Sequence, residues 1–210
     1  KGVIGIVASR LIETYYRPTL VFTKSGDKYA ASARSVKGFD VYNALEACSE
    51  HLEQFGGHMY AAGMTLLEEN YQLFKDAFEK VVQETIHPDL LTPEITIDAE
   101  IDFTDITPKL TRILKQFEPF GPQNMTPVFL TKNVKDTGYG KPIGQNNEHL
   151  KLFVKQSRGF GTEGISAIGF GLGNKLESIK NGQTFDMVYS IDENEWNGKV
   201  SSQLRVRDIK

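Results

Sequence analysis

The spacing of apolar residues along the first ninety positions alternates between helical and strand-like periods. Apolar side chains recur at helical spacing from Val3 to Tyr15, and Arg17-Pro18 ends this predicted helix. Asp40 stands where its side chain can cap a helix that begins at Val41. The predicted elements are helix 3–15, strands 19–23 and 28–35 around the turn 25–27, helix 41–52, strand 64–66 and helix 71–82. This order predicts an α/β domain built on a mixed sheet.

The second half of the chain has a different pattern. A proline-rich connector leads into it, with a predicted strand over 95–103 and a predicted helix over 108–117. We place the domain boundary near Leu91, which gives domains of residues 1–91 and 92–210. The pattern then predicts strands 128–137, 149–156, 165–170, 184–192 and 199–207, with one short helix over 174–180. This is the order of an all-β OB-fold barrel, which binds oligonucleotides or oligosaccharides.

Composition and charge narrow the class of protein. No apolar run approaches the roughly 20 residues that a membrane span requires. The single cysteine, Cys48, cannot form an internal disulfide and indicates a reducing, cytoplasmic compartment. The net charge of −3 divides into −6 over residues 1–120 and +3 over residues 121–210, which points to a polyanionic partner for the second half. The chain starts at Lys1 without an initiator methionine, so we expect a fragment of a longer protein. Neither half has a feature that demands oligomerisation, so we expect a monomer.

Gly56-Gly57-His58 is the most informative motif. Adjacent glycines let the backbone come close to a ligand, because no Cβ stands in the way. A histidine beside them can donate to an anion and can change its charge near neutral pH. Ala61-Ala62-Gly63 follows and leaves room for close packing. The alternative interpretation is a helix C-cap that leads into a strand.

Ser32, Arg34 and Ser35 form a second candidate site at the end of a predicted strand. An arginine suits bidentate contacts with phosphate, and the two hydroxyl groups could add donors. The alternative is an arginine on an edge strand that faces solvent.

Asp98, Glu100 and Asp102 alternate, so a strand would place all three carboxylates on one face. Three carboxylates could bind a divalent cation, but a solvated strand face is the interpretation we favour. The four histidines show no spacing typical of metal ligands. We therefore predict no metal site in this chain.

The second strand of the predicted barrel carries a basic and aromatic face. His149, Lys151, Phe153 and Lys155 share this face, and Leu150, Leu152 and Val154 share the other. Cations bind phosphates and a ring stacks on a base, so this face suits a nucleic-acid single strand. The alternative is an ordinary solvated face.

Two features of the last predicted hairpin bear on the same surface. Arg205 and Arg207 could extend the basic face from the last strand. Asn197-Gly198 is predicted to form the hairpin turn. Trp196 beside it would either stack on a base or cap the barrel end, and packing is the favoured role.

These motifs occur together in a fixed order. The first half carries Gly2-Val3-Ile4-Gly5-Ile6-Val7-Ala8-Ser9-Arg10-Leu11, Ser32-Ala33-Arg34-Ser35, Gly38-Phe39-Asp40 and Phe55-Gly56-Gly57-His58. The second half carries Pro119-Phe120-Gly121 with Asn124 and Pro127, His149-Leu150-Lys151-Leu152, and Asn194 to Gly198 with Gln203. Nearly the whole chain resembles the DHHA1 and OB domains of the RecJ family, single-strand-specific 5′→3′ exonucleases of the DHH phosphoesterase superfamily.

The resemblance implies a DHHA1-type domain followed by an OB-fold, in an enzyme of DNA repair and recombination. It implies that Mn²⁺ or Mg²⁺ is held by an N-terminal DHH domain that this chain does not contain, so the fragment alone is expected to be inactive. Ser32 and Arg34 would bind the terminal phosphate region, while Gly56, Gly57 and His58 would approach the phosphodiester. Arg34 and His58 would also support the transition state electrostatically. The OB domain would guide single-stranded DNA.

The sequence departs from the family pattern in one loop, and two other functions stay open. Gln123 and Met125 replace the usual glycine and proline of the stretch that begins at Pro119. Another DHH phosphoesterase could act on short oligonucleotides or cyclic dinucleotides, but such enzymes typically lack the five-stranded region. A non-catalytic single-strand-binding or carbohydrate-binding module would have no need of the Ser-Ala-Arg and Gly-Gly-His motifs.

Overall fold

Two hydrophobic cores, one in each half of the chain, organise the structure. The computed structural model describes residues 2–156, 164–180, 182–196 and 198–210. Backbone contacts divide the chain into one unit that ends at Glu94 and another that starts at Ile95. The predicted domain boundary near Leu91 stays a prediction.

The first unit is a four-stranded sheet with helices packed on it. Its elements are α1 (Ile4–Tyr15), β1 (Thr19–Ser25), β2 (Lys28–Arg34), α2 (Val41–Glu46), β3 (Gln54–His58), β4 (Ala61–Leu67) and α3 (Tyr71–Thr85). The strand order is β1-β2-β4-β3. All the pairings in this sheet are antiparallel, whereas the sequence analysis expected a mixed sheet.

The core of this unit lies on one face of the sheet, beneath α2 and α3. Ala33 of β2 and Met64 of β4 are buried there, together with Phe74 from the apolar face predicted for α3. The predicted helix cap is confirmed, because the Asp40 carboxylate accepts the backbone N–H of Asn43 at 3.1 Å. These contacts fix which face of the sheet is covered.

Helix α1 packs on β1 and β2 from the opposite face. Ala8 is fully buried there, and Gly5 adjoins polar side chains on the outer surface of β2. The apolar pattern predicted the helix but only part of it is buried, since Val3 and Ile6 are each 64% exposed. The outer surface of β3 and β4 lies beside this helix and forms the candidate site described below.

The paired glycines lie inside strand β3, where the sequence analysis had identified no strand. They pair with β4, which begins at Ala61 and is longer than predicted. Gly57 has φ +154°, and a Cβ built on it would stand 2.3 Å from the Ala61 carbonyl oxygen and 2.5 Å from Ala62 Cα. Only glycine allows β3 and β4 to come this close, so the C-cap interpretation is wrong.

The second unit contains a closed five-stranded barrel. Its elements are β5 (Ala99–Glu100), α4 (Pro108–Lys115), β6 (Phe129–Asp136), β7 (Lys141–Ile143), β8 (His149–Gln156), β9 (Ile165–Gly169), α5 (Leu176–Ile179), β10 (Phe185–Trp196) and β11 (Lys199–Ile209). The order β6-β10-β11-β9-β8 closes through a pairing of β6 with β8, and β9 runs parallel to β11. The predicted α/β domain followed by an OB-fold barrel with a short helix is confirmed.

The barrel interior is filled by alternate residues of these strands. Leu150, Leu152 and Val154 of β8 are buried, as the alternation predicted. One polar pair lies among them: the hydroxyl groups of Thr131 and Tyr189 are 2.7 Å apart. Burial raises the pKa of Tyr189 to about 12, so its hydroxyl group stays protonated across the physiological range.

The connector between the two halves differs from its prediction. Of the strand predicted over 95–103, only Ala99–Glu100 pairs, in parallel with β6. Asp102 and Asp105 form a reciprocal capping box that turns the chain into a 3-10 helix at Phe103. The strand therefore ends where this turn begins, and Phe103 enters the barrel core.

Two further features of the barrel qualify the sequence analysis. Strand β7 was missed because three residues with a central Pro142 show no alternation and pair only at the edge of β8. Asn197 and the side chain of Trp196 lie outside the described residues, so the hairpin turn and the role of Trp196 stay predictions.

We predict that Gly57→Ala destabilises the first unit by about 2 kcal/mol or more, because the new Cβ would meet backbone atoms that cannot move aside. Gly56→Ala is the matched control, since nothing lies within 4 Å of its built Cβ. Thermal unfolding followed by circular dichroism measures both. Equal melting temperatures for the two variants would contradict the steric origin of this effect.

Candidate nucleic-acid interface

Strand register places Arg34 and His58 in one row on the outer face of the first sheet. Arg34 pairs with Ala61, and Ala61 pairs with His58 on its other side. Directly paired residues of antiparallel strands point to the same face. A cation and an imidazole therefore flank a methyl group, which leaves space between them.

The adjacent row has almost no side chains. It consists of Ser32, Gly63 and Gly56, which are paired across β2, β4 and β3. A cavity of about 550 Å³ opens above this row, between the sheet and the start of α1 at Ile4 and Gly5. The missing side chains thus create a groove beside the row that carries Arg34 and His58.

Arg34 is held in place before any ligand binds. Its guanidinium group donates to the Ser32 hydroxyl at 3.0 Å, the Ala33 carbonyl at 2.8 Å and the Ser9 hydroxyl at 3.2 Å. Gly5 of α1 lies against it, since a Cβ at this position would stand 2.8 Å from Nη2. The cation is therefore fixed at the edge of the groove.

Three other predicted residues of this site have distinct placements. His58 is exposed, and its Nδ1 accepts the Tyr60 N–H at 3.2 Å, which leaves Nε2 directed to other partners. The Ser35 hydroxyl donates to the Phe39 carbonyl at 2.7 Å and therefore stabilises the loop after β2. Gly57 pairs with Ala62, whose side chain is in the core, so position 57 faces the core and not the groove.

The basic and aromatic face predicted for β8 lies on the outside of the barrel. Lys151, Phe153 and Lys155 are exposed, and His149 is partly exposed. Arg205 joins this face, because Lys151 and Arg205 both pair with Ile168 of the intervening strand β9. Arg207 is also exposed on β11.

The sequence analysis missed one aromatic residue of this barrel face. Phe170 directly follows β9 and is 52% exposed, with the Arg205 guanidinium 5.4 Å from its ring centroid. The His149 ring contacts the Phe170 ring edge-on, with 5.1 Å between the ring centroids. A lone phenylalanine after a strand gives no periodic signal, although the glycines on both sides of it indicate a turn.

One carboxylate stands beside the basic face of β8. The Glu148 carboxylate accepts backbone N–H groups of Glu148 itself and Asn146, and these bonds, with the nearby His149, lower its pKa. It lies 3.7 Å from the His149 ring. The negative charge offsets part of the positive potential at this end of β8.

The three carboxylates of the connector triplet bond to three different partners. Asp98 accepts the Val128 N–H, and Asp102 accepts from Gln156. Glu100 pairs with Lys132 at 2.8 Å. In the described part of the chain, no group of three His, Cys, Asp or Glu side chains is placed to hold a metal ion.

The fold and these two surfaces define a protein with a DHHA1 domain followed by an OB domain. A family model of the DHHA1 domain matches residues 1–84, and one of the RecJ OB domain matches residues 97–208. The chain belongs to the RecJ family. The resemblance given by the sequence motifs is confirmed.

Named relatives and solved structures agree with this family. The chain is 32% identical over 209 residues to the single-stranded-DNA-specific exonuclease RecJ of Bacillus subtilis, covering 99% of this chain and 26% of that protein. It is 29% identical to RecJ of Escherichia coli, covering 100% of this chain and 36% of that protein. The crystal structure of Thermus thermophilus RecJ in complex with Mg²⁺ superposes with a TM-score of 0.77 at 26% identity, covering 100% of this chain and 30% of that one.

The similarity is to one part of longer proteins. The chain spans 26% to 37% of the length of the curated relatives that it matches. It is homologous to the C-terminal part of RecJ. Among the helices of the described residues, we find none with the length and apolar content that crossing a membrane requires.

We predict that Gly5→Ala displaces the Arg34 guanidinium, because its Cβ would stand 2.8 Å from Nη2. The ¹⁵N chemical shift of Arg34 Nε should change, while the melting temperature stays equal or rises, since alanine favours a helix. Gly2→Ala is the control, with nothing within 4 Å of its Cβ. An unchanged Arg34 resonance in Gly5→Ala would contradict this contact.

Proposed function

We propose that this chain is the substrate-binding part of a 5′→3′ exonuclease that degrades single-stranded DNA in repair and recombination. The observation that carries the proposal is the outer face of the barrel, where Lys151, Phe153 and Lys155 are exposed in alternation beside Arg205. The membership in the RecJ family supports it. In this proposal the protein is a cytoplasmic monomer.

The barrel face binds the strand without regard to its sequence. Lysine and arginine side chains contact phosphates, and exposed rings stack on bases of any kind. The positive net charge of residues 121–210 attracts the strand over a distance of about 8 to 10 Å at physiological salt. The aromatic contribution is independent of salt, so the two contributions can be measured separately.

The groove of the first unit binds the phosphate region at the end of the strand. Arg34 is fixed by hydrogen bonds and can present its remaining N–H groups to a phosphate. Ser32 and Gly56 form the floor, where the absence of large side chains lets a sugar-phosphate backbone approach. His58 Nε2 can donate to a phosphate oxygen from the other side of Ala61.

The metal ions of the complete enzyme are held outside this chain in our proposal. Two similar structures are of RecJ in complex with Mg²⁺ and with Mn²⁺. The described residues of this chain offer no set of ligands for such an ion, so no step of hydrolysis is assigned to them. We propose that a DHH domain of the same polypeptide holds the metal and that this chain alone is inactive.

Fluorescence anisotropy of this chain with labelled single-stranded and duplex oligonucleotides, across a salt series, tests the proposal. We expect binding that prefers single strands and weakens as salt rises. Binding of cyclic dinucleotides without affinity for longer strands would favour another DHH phosphoesterase. Absence of binding at low salt would contradict a substrate-binding role for the barrel.

Replacing both Lys151 and Lys155 by alanine should weaken single-strand binding and flatten its salt dependence. Each phosphate contact contributes about −0.7 to the slope of log K against log salt for single strands. The slope should therefore become shallower by up to about 1.4. Lys109→Ala with Lys180→Ala is a control of equal charge on exposed lysines outside the β8 face. An identical slope in both double variants would show that the strand passes elsewhere.

Arg34→Ala should lower the nuclease activity of the complete enzyme at least about tenfold, because it removes a fixed cation from the phosphate site. The melting temperature should change little, since the side chain bonds only to hydroxyl groups and one carbonyl on the outer face. Steady-state kinetics on a 5′-phosphorylated strand measures the effect. Wild-type turnover would remove Arg34 from the site.

A further inference from the structure

Phe170 is an exposed aromatic ring, unlike the rings that fill the barrel core. Phe103, Phe129 and Phe185 are each 7% exposed or less, whereas Phe170 is 52% exposed. It lies directly after β9, in a turn where Gly171 has φ +73°. A ring in this position contributes little to the core, so core packing does not explain why a phenylalanine stands in this turn.

The ring is held in position by side chains from two other strands. The Arg205 guanidinium of β11 lies over it, with Cζ 5.4 Å from the ring centroid. His149 of β8 contacts it edge-on at 5.1 Å, with an angle of 74° between the rings. His149 Nδ1 also accepts the Gly171 N–H at 3.1 Å, which anchors the turn that carries the ring. Phe170 is therefore oriented in the free protein.

The position of Phe170 repeats the pattern of the β8 face at a second site. Phe153 pairs with Ser166, and Lys151 pairs with Ile168, so Phe170, directly after β9, lies four residues along the chain from the partner of Phe153. Four residues of extended strand span about 13 Å. Lys151 and Arg205 lie at the level between the two rings. The surface thus alternates ring, cations and ring.

We propose that Phe170 is a second base-stacking platform of the barrel, with Arg205 held beside it for the phosphate of the adjoining nucleotide. This inference rests on the proposed binding of single-stranded DNA. The ring supplies a stacking surface for one base of any kind. Its contact with Arg205 orients the guanidinium group in the free protein. Bases bound at Phe153 and Phe170 are separated by the row of cations that binds the phosphates between them.

The test compares Phe170→Ala, Phe170→Trp and Phe117→Ala by anisotropy with a single-stranded oligonucleotide at fixed salt. Phe117 is the matched control, because it is a 56% exposed phenylalanine beyond α4. We expect Phe170→Ala to lower affinity about tenfold, Phe170→Trp to retain it and Phe117→Ala to leave it unchanged. The salt slope should stay constant in Phe170→Ala and fall in Arg205→Ala.

Oligonucleotides with one abasic position identify the platform directly. In the wild-type chain, one abasic position should reduce affinity, and in Phe170→Ala the same position should have no further effect. Normal affinity of Phe170→Ala, or a loss that is independent of the abasic position, would overturn the inference and leave Phe170 as a packing residue. Absence of single-strand binding by the wild-type chain would instead refute the proposed function itself.

Discussion

Strand register is the constraint on which both candidate surfaces depend. Successive residues of a strand point to opposite faces, so a slip of one residue would exchange the whole outer set for the buried one. In the first unit, the pairing of β2, β4 and β3 aligns Arg34 with His58 across Ala61. In the barrel, the same principle turns Lys151 and Phe153 outward while the core holds β8 in place. The buried apolar residues thereby decide where the polar chemistry lies.

The two surfaces differ in how their charges are prepared for a ligand. Arg34 is partly buried and bonded to two hydroxyl groups and a carbonyl, so little conformational entropy remains to be lost when it binds. The lysines of β8 are exposed, so salt screens their charges strongly. A fixed contact suits a single position on the ligand, whereas exposed charges suit a strand that can bind in many registers.

Periodic signals in the sequence predicted most of the fold. Features without a periodic signal were not predicted. The amphipathic pattern from Tyr71 to Val82 and the alternation of β8 are long enough to identify their elements. Strand β3 was missed because Gly56 and Gly57 have low strand propensity, and only the pairing with β4 reveals them as a strand. Phe170 was missed because its importance arises from side chains of β8 and β11 that are distant in sequence.

The two glycines of the Gly56-Gly57 pair are subject to different steric constraints. A side chain at 57 would collide with the backbone of β4, so any protein with this strand pairing must keep glycine there, whatever it binds. A side chain at 56 would meet the open space of the groove, so the fold itself does not require glycine there. A side chain added at position 56 would therefore keep the sheet and fill the groove, whereas one added at position 57 would disrupt the pairing of the two strands.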